Sequence, residues 1–356
     1  MHLGTPALMD FYRDHKDEGH FVLATIIATE GSTYRKTGAM LLISRGGDFE
    51  GLISGGCLEG DLLQHANAVF ESGIPAHVTY DMSAGDELVW SLGLGCDGII
   101  HLLLQRLDAS RGLEVFGHID AAQQRLSAEL LAMIVQAEER ADCGRMAVLD
   151  SGGSEEGDPA LFPLLREQAI DWPDWRARSM KLSLEQQLVE VLLVHMPVQT
   201  RVLVCGAGPD ALPLVRALDE LDWDVIVADH RPAFARPGRF PPKCTVVQSR
   251  PEKLAESVEM QSIDGVIIMS HHLENDAEYL RQVTTASPRY IAALGPRARM
   301  GRLKEMAGCP DRLVYGPAGL DIGAELPASI ALSIAAEIHA VLNDRDGRSL
   351  TGVQHE

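Results

Sequence analysis

The chain reads as an α/β protein: a mixed α/β domain at the N-terminal end, followed by a Rossmann-like, doubly wound parallel sheet. Three observations predict this. The run RVLVC (201–205) leads into Gly206-Ala207-Gly208-Pro209-Asp210-Ala211, then a helical pattern, then a second strand ending at Asp229. Strands and helices continue to alternate to the C-terminal end, as parallel sheets require. The N-terminal third instead carries short apolar runs joined by glycine-rich turns. With 356 residues, the expected division is 1–115 for the N-terminal domain, 116–198 for a linking α/β segment and 199–356 for the Rossmann-like domain.

In the N-terminal part, VLATIIA (22–28) is a continuous branched apolar run and predicts a buried strand. The loop GSTYRKTG (31–38) follows and holds Arg35 and Lys36 among glycines and hydroxyls. Such a loop either presents N–H groups and positive charge to an anion or is a polar connection. Runs 39–44 and 49–54 predict two strands joined at Arg45-Gly46-Gly47-Asp48. In LISGGCLEGD (52–61), Gly55 and Gly56 precede Cys57, and Leu58, Leu62, Ala66 and Val69 recur at helical spacing. That predicts a helix beginning at or just before Cys57, with Ser54 as N-cap and Gly73 as C-cap. A thiol at a helix start faces backbone N–H groups that favour the thiolate. A buried structural cysteine fits the same pattern. Strand 77–81 follows, then SLGLGCDG (91–98), in which Cys96 again lies among glycines before the strand 99–104.

Through the middle, 121–140 has the pattern of an amphipathic helix, 146–150 of a strand, 151–158 of a loop, 161–170 of a helix and 190–195 of a strand. In the Rossmann unit, Gly206 permits the tight turn, Gly208 the approach of a pyrophosphate, and Ala211 close helix packing. Asp229 is the acidic residue expected at a ribose. Further strands are expected at 244–248, 265–270 and 290–294, and helices at 275–285 and 324–342. Ligands of such sheets bind at the carboxyl ends of the strands. Asp229, His230, Arg231, His271, His272 and Arg297 are therefore expected at one crevice edge. The last helix is expected to pack across the sheet or in a homodimer.

Composition narrows the function. The formal net charge of −20 argues against a nucleic-acid binder or an anionic-membrane binder. The first residues lack an apolar signal core, and no run approaches the roughly 20 apolar residues of a membrane span. The six cysteines show no CxxC spacing. Together these predict a cytoplasmic protein with reduced thiols.

Several motifs taken together resemble one family. They are GSTYRKTGAMLL (31–42), GLISGGCLE (51–59) and LGCDG (94–98) at the N-terminal end. At the C-terminal end they are VLVCGAGPDALPLV (202–215), VADHRP (227–232), the His271-His272 region, YIAALGPR (290–297) and GPAGLDIGAELPASIALSIAAEI (316–338). The sequence is similar to the XdhC/CoxI family, accessory factors for xanthine dehydrogenase and related molybdenum hydroxylases; residues 107–189 match only loosely.

The resemblance implies a non-catalytic chaperone. It would bind the molybdenum cofactor (molybdopterin), support its sulfuration with a cysteine desulfurase, and insert it into an apo-hydroxylase of the xanthine dehydrogenase type. It puts Cys57 and Cys96 at the cofactor, with Cys57 a molybdenum ligand or sulfur contact flanked by Gly55 and Gly56, and with Arg35 and Lys36 on the pterin phosphate. A thiolate suits a soft metal. Gly206, Gly208, Asp229, His271 and His272 are the cofactor-binding candidates of the Rossmann turn, for NAD(P) or another nucleotide. The alternative reading is an NAD(P)-dependent oxidoreductase. Asp229 or Arg231 would then read the ribose, and His271 or His272 would act as acid/base.

Overall fold

The computed structural model describes residues 4–56, 58–82, 98–170 and 176–351. The chain divides into two compact units, Met1–Val198 and Gln199–Glu356.

In the first unit, α1 (Thr5–His15), β1 (Phe21–Glu30), β2 (Met40–Ser44), β3 (Phe49–Gly51), α2 (Glu59–Ser72), β4 (Ala76–Asp81) and β5 (Ile99–Leu107) precede α3 (Leu113–Gln124). Then come β6 (Glu129–Gln136), β7 (Met146–Asp150), β8 (Glu155–Gly157), α4 (Phe162–Gln168), β9 (Ala177–Leu184) and β10 (Gln187–Met196). The strands form two antiparallel five-stranded sheets in the orders β3-β2-β1-β5-β4 and β8-β7-β6-β10-β9. Successive strand residues point to opposite faces, so β1 serves two cores. Phe21 and Leu23 meet Leu131, Met133, Val148 and Leu192 of the second sheet. Val22, Ala24 and Ile26 meet Leu62, Ala66 and Val69 of α2. The far face of the second sheet packs on Leu164 and Leu165 of α4.

The two sheets are copies of one topology. Each follows helix, three-stranded meander, helix and two-stranded hairpin, in the same strand order. The correspondence holds at single residues. Gly38 donates to Ile26 O, and Gly144 to Ile134 O, both with left-handed φ (88° and 85°). Gly51 and Gly157 end β3 and β8 with φ of 109° and 104°. A Cβ at either would collide with the backbone of its neighbour strand, at Met40 and Met146 respectively. The copies differ where strands meet at the hairpin. β9 and β10 are joined by a tight turn with Glu185 and Gln186 at φ 50° and 74°, whereas β4 and β5 are joined by the longer connection 82–98.

The expected helix over 121–140 is corrected: α3 ends at Gln124 and residues 129–136 are β6. Leu126 takes φ 55° and breaks the helix. The run ELLAMIV then alternates between two cores, so a strand buried on both faces reads as an unbroken apolar stretch. Helix α2 also starts later than expected, at Glu59 with Leu58 as N-cap, and ends at Gly73 as expected.

The second unit contains β11 (Arg201–Cys205), α5 (Ala211–Asp219), β12 (Asp224–Asp229), β13 (Thr245–Gln248), β14 (Gly265–Ile268), α6 (Leu273–Thr284), β15 (Tyr290–Ala293), α7 (Arg297–Ala307) and α8 (Pro327–Leu342). All five strands are parallel, in the order β13-β12-β11-β14-β15. The order reverses between β11 and β14, the switch point of a doubly wound sheet. Leu214, Val215 and Leu218 of α5 share one face with Ile334, Ala335 and Ile338 of α8. Ala277, Tyr279 and Leu280 of α6 share the other with Met300 and Leu303 of α7. The last helix thus packs across the sheet, against α5. Among the described residues, no helix is long and apolar enough to cross a membrane.

Candidate functional site

In the first unit, three connections leave the first sheet at one end. β1 ends at Glu30, which pairs with Ile99 at the start of β5. Ile99 in turn pairs with Asp81 at the end of β4. Gly51, at the end of β3, lies across from Leu41 near the start of β2. The loop 31–38, the segment that follows β3 and the described ends of the β4–β5 connection therefore lie at one end of the sheet. Gly98 sits so close to Ser32 O and the Thr33 side chain that no Cβ fits there, which ties the end of the LGCDG motif to the GSTYRKTG loop. Cys57 and Cys96 themselves lie outside the described residues.

The segment before α2 is held by Glu59. Its buried carboxylate accepts from Ser54 N (3.0 Å), Ser54 Oγ (2.7 Å), Leu58 N (3.1 Å) and, at 3.4 Å, Ile53 N. Burial pushes the carboxyl pKa up, but the Ser54 hydroxyl and the backbone donors outweigh it and hold the group below its ordinary value. Ser54 Oγ also accepts from Gly56 N (3.2 Å) and Leu58 N (3.1 Å). Ser54 thus braces the segment rather than serving as the N-cap. Gly55 and Gly56 are exposed, with no described residue where their side chains would be, and Gly56 has φ 103°. A ligand can approach that backbone closely.

In the adjoining loop, Thr33 Oγ1 donates to Arg35 O (2.8 Å) and accepts from Lys36 Nζ (3.2 Å). Gly38 approaches the second sheet: a Cβ there would lie 2.7 Å from that of Ala177. Arg176, the residue before Ala177, lies near enough to Arg35 for the two charges to interact. Burial lowers the pKa of both guanidinium groups, and the charge of Arg35 adds to the lowering at Arg176. Both remain cations at neutral pH. No pattern along the chain links Arg176 to Arg35.

A cleft of about 320 Å³ in this unit is lined by His77, Thr79, His101, Val135 and Glu190 among others. His77 Nε2 lies 2.7 Å from Val135 O, and His101 lies 3.0 Å from Thr79 Oγ1 and 3.4 Å from Glu30 Oε1. These histidines stand on strands, away from any glycine-rich motif, and sequence reasoning missed them.

In the second unit, the glycine turn forms as the motif requires. Gly206 (φ 121°) donates to Ala228 O at 2.8 Å, and a Cβ there would meet the backbone of Met269 at 2.6 Å. Gly208 faces its own neighbour: Asp210 Oδ1 would lie 2.5 Å from an added Cβ. Asp210 Oδ2 pairs with His271 Nε2 at 2.6 Å. His271 follows β14 with φ 62°, and His272 is the N-cap position of α6 with an exposed side chain.

Asp229 is 1% exposed. It accepts from Ala207 N (2.8 Å), Arg231 N (2.8 Å), Arg231 Nε (2.9 Å) and Arg231 Nη2 (2.7 Å). Burial raises its pKa, and Arg231 with the backbone donors brings it below the usual carboxylate range. Arg231 and Arg239 flank the Phe234 ring at 4.2 and 5.0 Å from its centroid.

Two further residues that sequence reasoning did not link stabilise this edge. Buried Asp276 accepts from Ser270 Oγ (2.5 Å) and Arg299 Nη2 (2.7 Å), joining the β14 end to α7. Arg297 lines a separate cavity of about 540 Å³ with Gly295, Pro317, Asp321, Ile330 and Ser333. That cavity gathers the YIAALGPR and GPAGLDIGAE motifs.

This combination defines a two-unit α/β protein, with an antiparallel double-sheet unit followed by a Rossmann unit. The family assignment is direct. The XdhC Rossmann domain model matches residues 202–338 and the XdhC and CoxI family model matches residues 15–81. The chain belongs to the XdhC/CoxI family. It is 29% identical to a probable xanthine dehydrogenase subunit of Bacillus subtilis over 91% of this chain and 93% of that protein. It is 21% identical to the molybdenum cofactor insertion chaperone PaoD of Escherichia coli, over 90% of this chain and 83% of that protein. A solved structure described as a xanthine dehydrogenase from Bacillus halodurans superposes with a TM-score of 0.77 at 28% identity, covering 98% of each chain.

Proposed function

We propose that this chain is an accessory factor that holds the molybdenum cofactor and inserts it into a hydroxylase of the xanthine dehydrogenase type. The observation that carries the reading is that the loop 31–38, the segment following β3 and the described ends of the β4–β5 connection lie at one sheet end, with Gly98 against Ser32 and Thr33. Similarity to a cofactor insertion chaperone over 90% of this chain and 83% of that protein supports it. The donor set there suits the cofactor. Arg35, joined by Arg176, would take the phosphate of the pterin, as guanidinium groups do. Lys36 would add charge from the same loop. Gly55 and Gly56 leave their backbone open to a ligand, and the thiol of Cys57, ahead of that of Cys96, would meet the soft metal. When bound, the cofactor supplies the metal centre on which the client's hydroxylation depends. This chain's own residues bind and orient it; none is assigned a catalytic role. Sulfuration by a cysteine desulfurase, assembly as a homodimer and a cytoplasmic location complete the proposal.

The test is expression of the full chain in a molybdenum-replete host, with metal and pterin measured on the purified protein. Close to one molybdenum and one pterin per chain is expected, with loss in Cys57→Ala and partial loss in Arg35→Gln. Absence of both from the wild-type protein, together with normal hydroxylase maturation by Cys57→Ala, would overturn the reading.

A further inference from the structure

We infer that Asp210 is the specificity residue that closes the Rossmann turn of this chain to dinucleotides: its carboxylate, clamped by His271, takes the seat of a pyrophosphate. In a GxGxxA turn the second glycine exists so that a pyrophosphate can approach the backbone, and the following helix start attracts that anion. Here the space in front of Gly208 holds Asp210 Oδ1. Asp210 stands at the N-cap position of α5, yet its side chain makes no cap hydrogen bond. It turns instead to His271 Nε2 at 2.6 Å. His271 comes from the end of β14, across the switch point from β11. The clamp therefore spans the crevice that a dinucleotide would enter. Arg231, which follows the end of β12, also feels the Asp210 charge.

An independent observation comes from the other end of the same crevice. The ribose of a dinucleotide is held by the acidic residue at the end of the second strand. In this chain that residue, Asp229, already accepts four N–H donors and is 1% exposed. A ribose hydroxyl would bind there only by displacing Arg231. At both the pyrophosphate turn and the acidic ribose position, contacts within the chain thus stand where a dinucleotide's would be. The turn retains its glycines because they serve the fold: Gly206 has no room for a Cβ against Met269. The inference stands apart from the cofactor reading, which concerns the first unit.

The experiment is titration calorimetry of the full chain with NAD and, separately, ADP at low salt. Wild-type protein is expected to show no saturable binding. Asp210→Asn and Asp210→Gly are expected to gain affinity of at least about tenfold, because a negative charge against the phosphates is removed. Asn keeps the size and tests the charge; Gly also tests the occupied space, and a thermal melt on each confirms folding. His271→Ala, which leaves the carboxylate in place, is expected to gain nothing. Saturable binding of NAD by the wild-type chain would overturn the inference, as would the absence of any gain in both folded Asp210 variants.

Discussion

Glu59 offers the sharpest test of how the segment before α2 is held. Glu59→Gln keeps the shape of the side chain and removes its charge. The wild-type carboxylate accepts from Ser54 N, Ser54 Oγ and Leu58 N at 2.7 to 3.1 Å in a buried site. A hydrogen bond to a charged group contributes about 1.5–3 kcal/mol and a neutral one about 0.5–1.5 kcal/mol. The amide also turns an N–H group towards donors, although Leu58 N keeps Ser54 Oγ as an acceptor. A loss of about 2 kcal/mol follows, or roughly thirtyfold in a local opening constant. Hydrogen exchange at the Ser54 and Leu58 amides reads that opening directly.

The pH dependence carries a definite sign. The folded pKa of Glu59 lies below its unfolded value. Its stabilisation is therefore complete above about pH 4.3 and is lost as pH falls through the lower folded value. The gap between wild type and Glu59→Gln should be constant near neutrality and close on acidification. Unchanged exchange at both amides, or a gap that widens on acidification of a still-folded protein, would refute the assignment.

Other expectations follow from the same structure. Burial, with Asp150 adding to it, pushes Glu129 up to about 8 against the opposing effects of Gln123 and Arg125. Because the folded pKa exceeds the unfolded one, stability falls as pH rises from about 4.3 towards 8. Denaturant titration should find Glu129→Gln more stable than wild type at pH 8, with the advantage shrinking by pH 5. Gly51→Ala and Gly157→Ala should each cost more than about 2 kcal/mol in chemical denaturation, combining a left-handed φ with a backbone collision. Similar losses at the two would support the equivalence of the repeats. Arg299→Ala leaves Asp276 buried beside Ser270 without its cation and should destabilise the second unit by about 3–5 kcal/mol, read by the Trp223 fluorescence transition. Arg176→Gln should weaken pterin retention less than Arg35→Gln, with both effects reduced by added salt.

Elements whose signals are local are legible along the chain. The turn 206–211 and its flanking strands were legible because a tight turn, a helix start and a buried parallel strand each demand specific residues within a few positions. The same holds for α2 between its glycines and for Gly73 at its end. The family was legible because its motifs are contiguous.

Tertiary structure decided what depends on two faces or on distant partners. Residues 129–136 look helical until both sides of β6 are seen to be covered. The repeat of one topology in two sheets leaves little trace along the chain, because backbone geometry at Gly38 and Gly144 or at Gly51 and Gly157 is preserved while the surrounding side chains are not. Ser54 was read as a cap, but the buried charge of Glu59 recruits it as a brace. Along the chain Asp229 reads as ligand-facing, while Asp210 reads only as part of the glycine turn. Folding brings His271 to Asp210 and turns the Arg231 side chain onto Asp229, because a carboxylate is stabilised by the cation or N–H donor that lies nearest in space, whatever separates them along the chain.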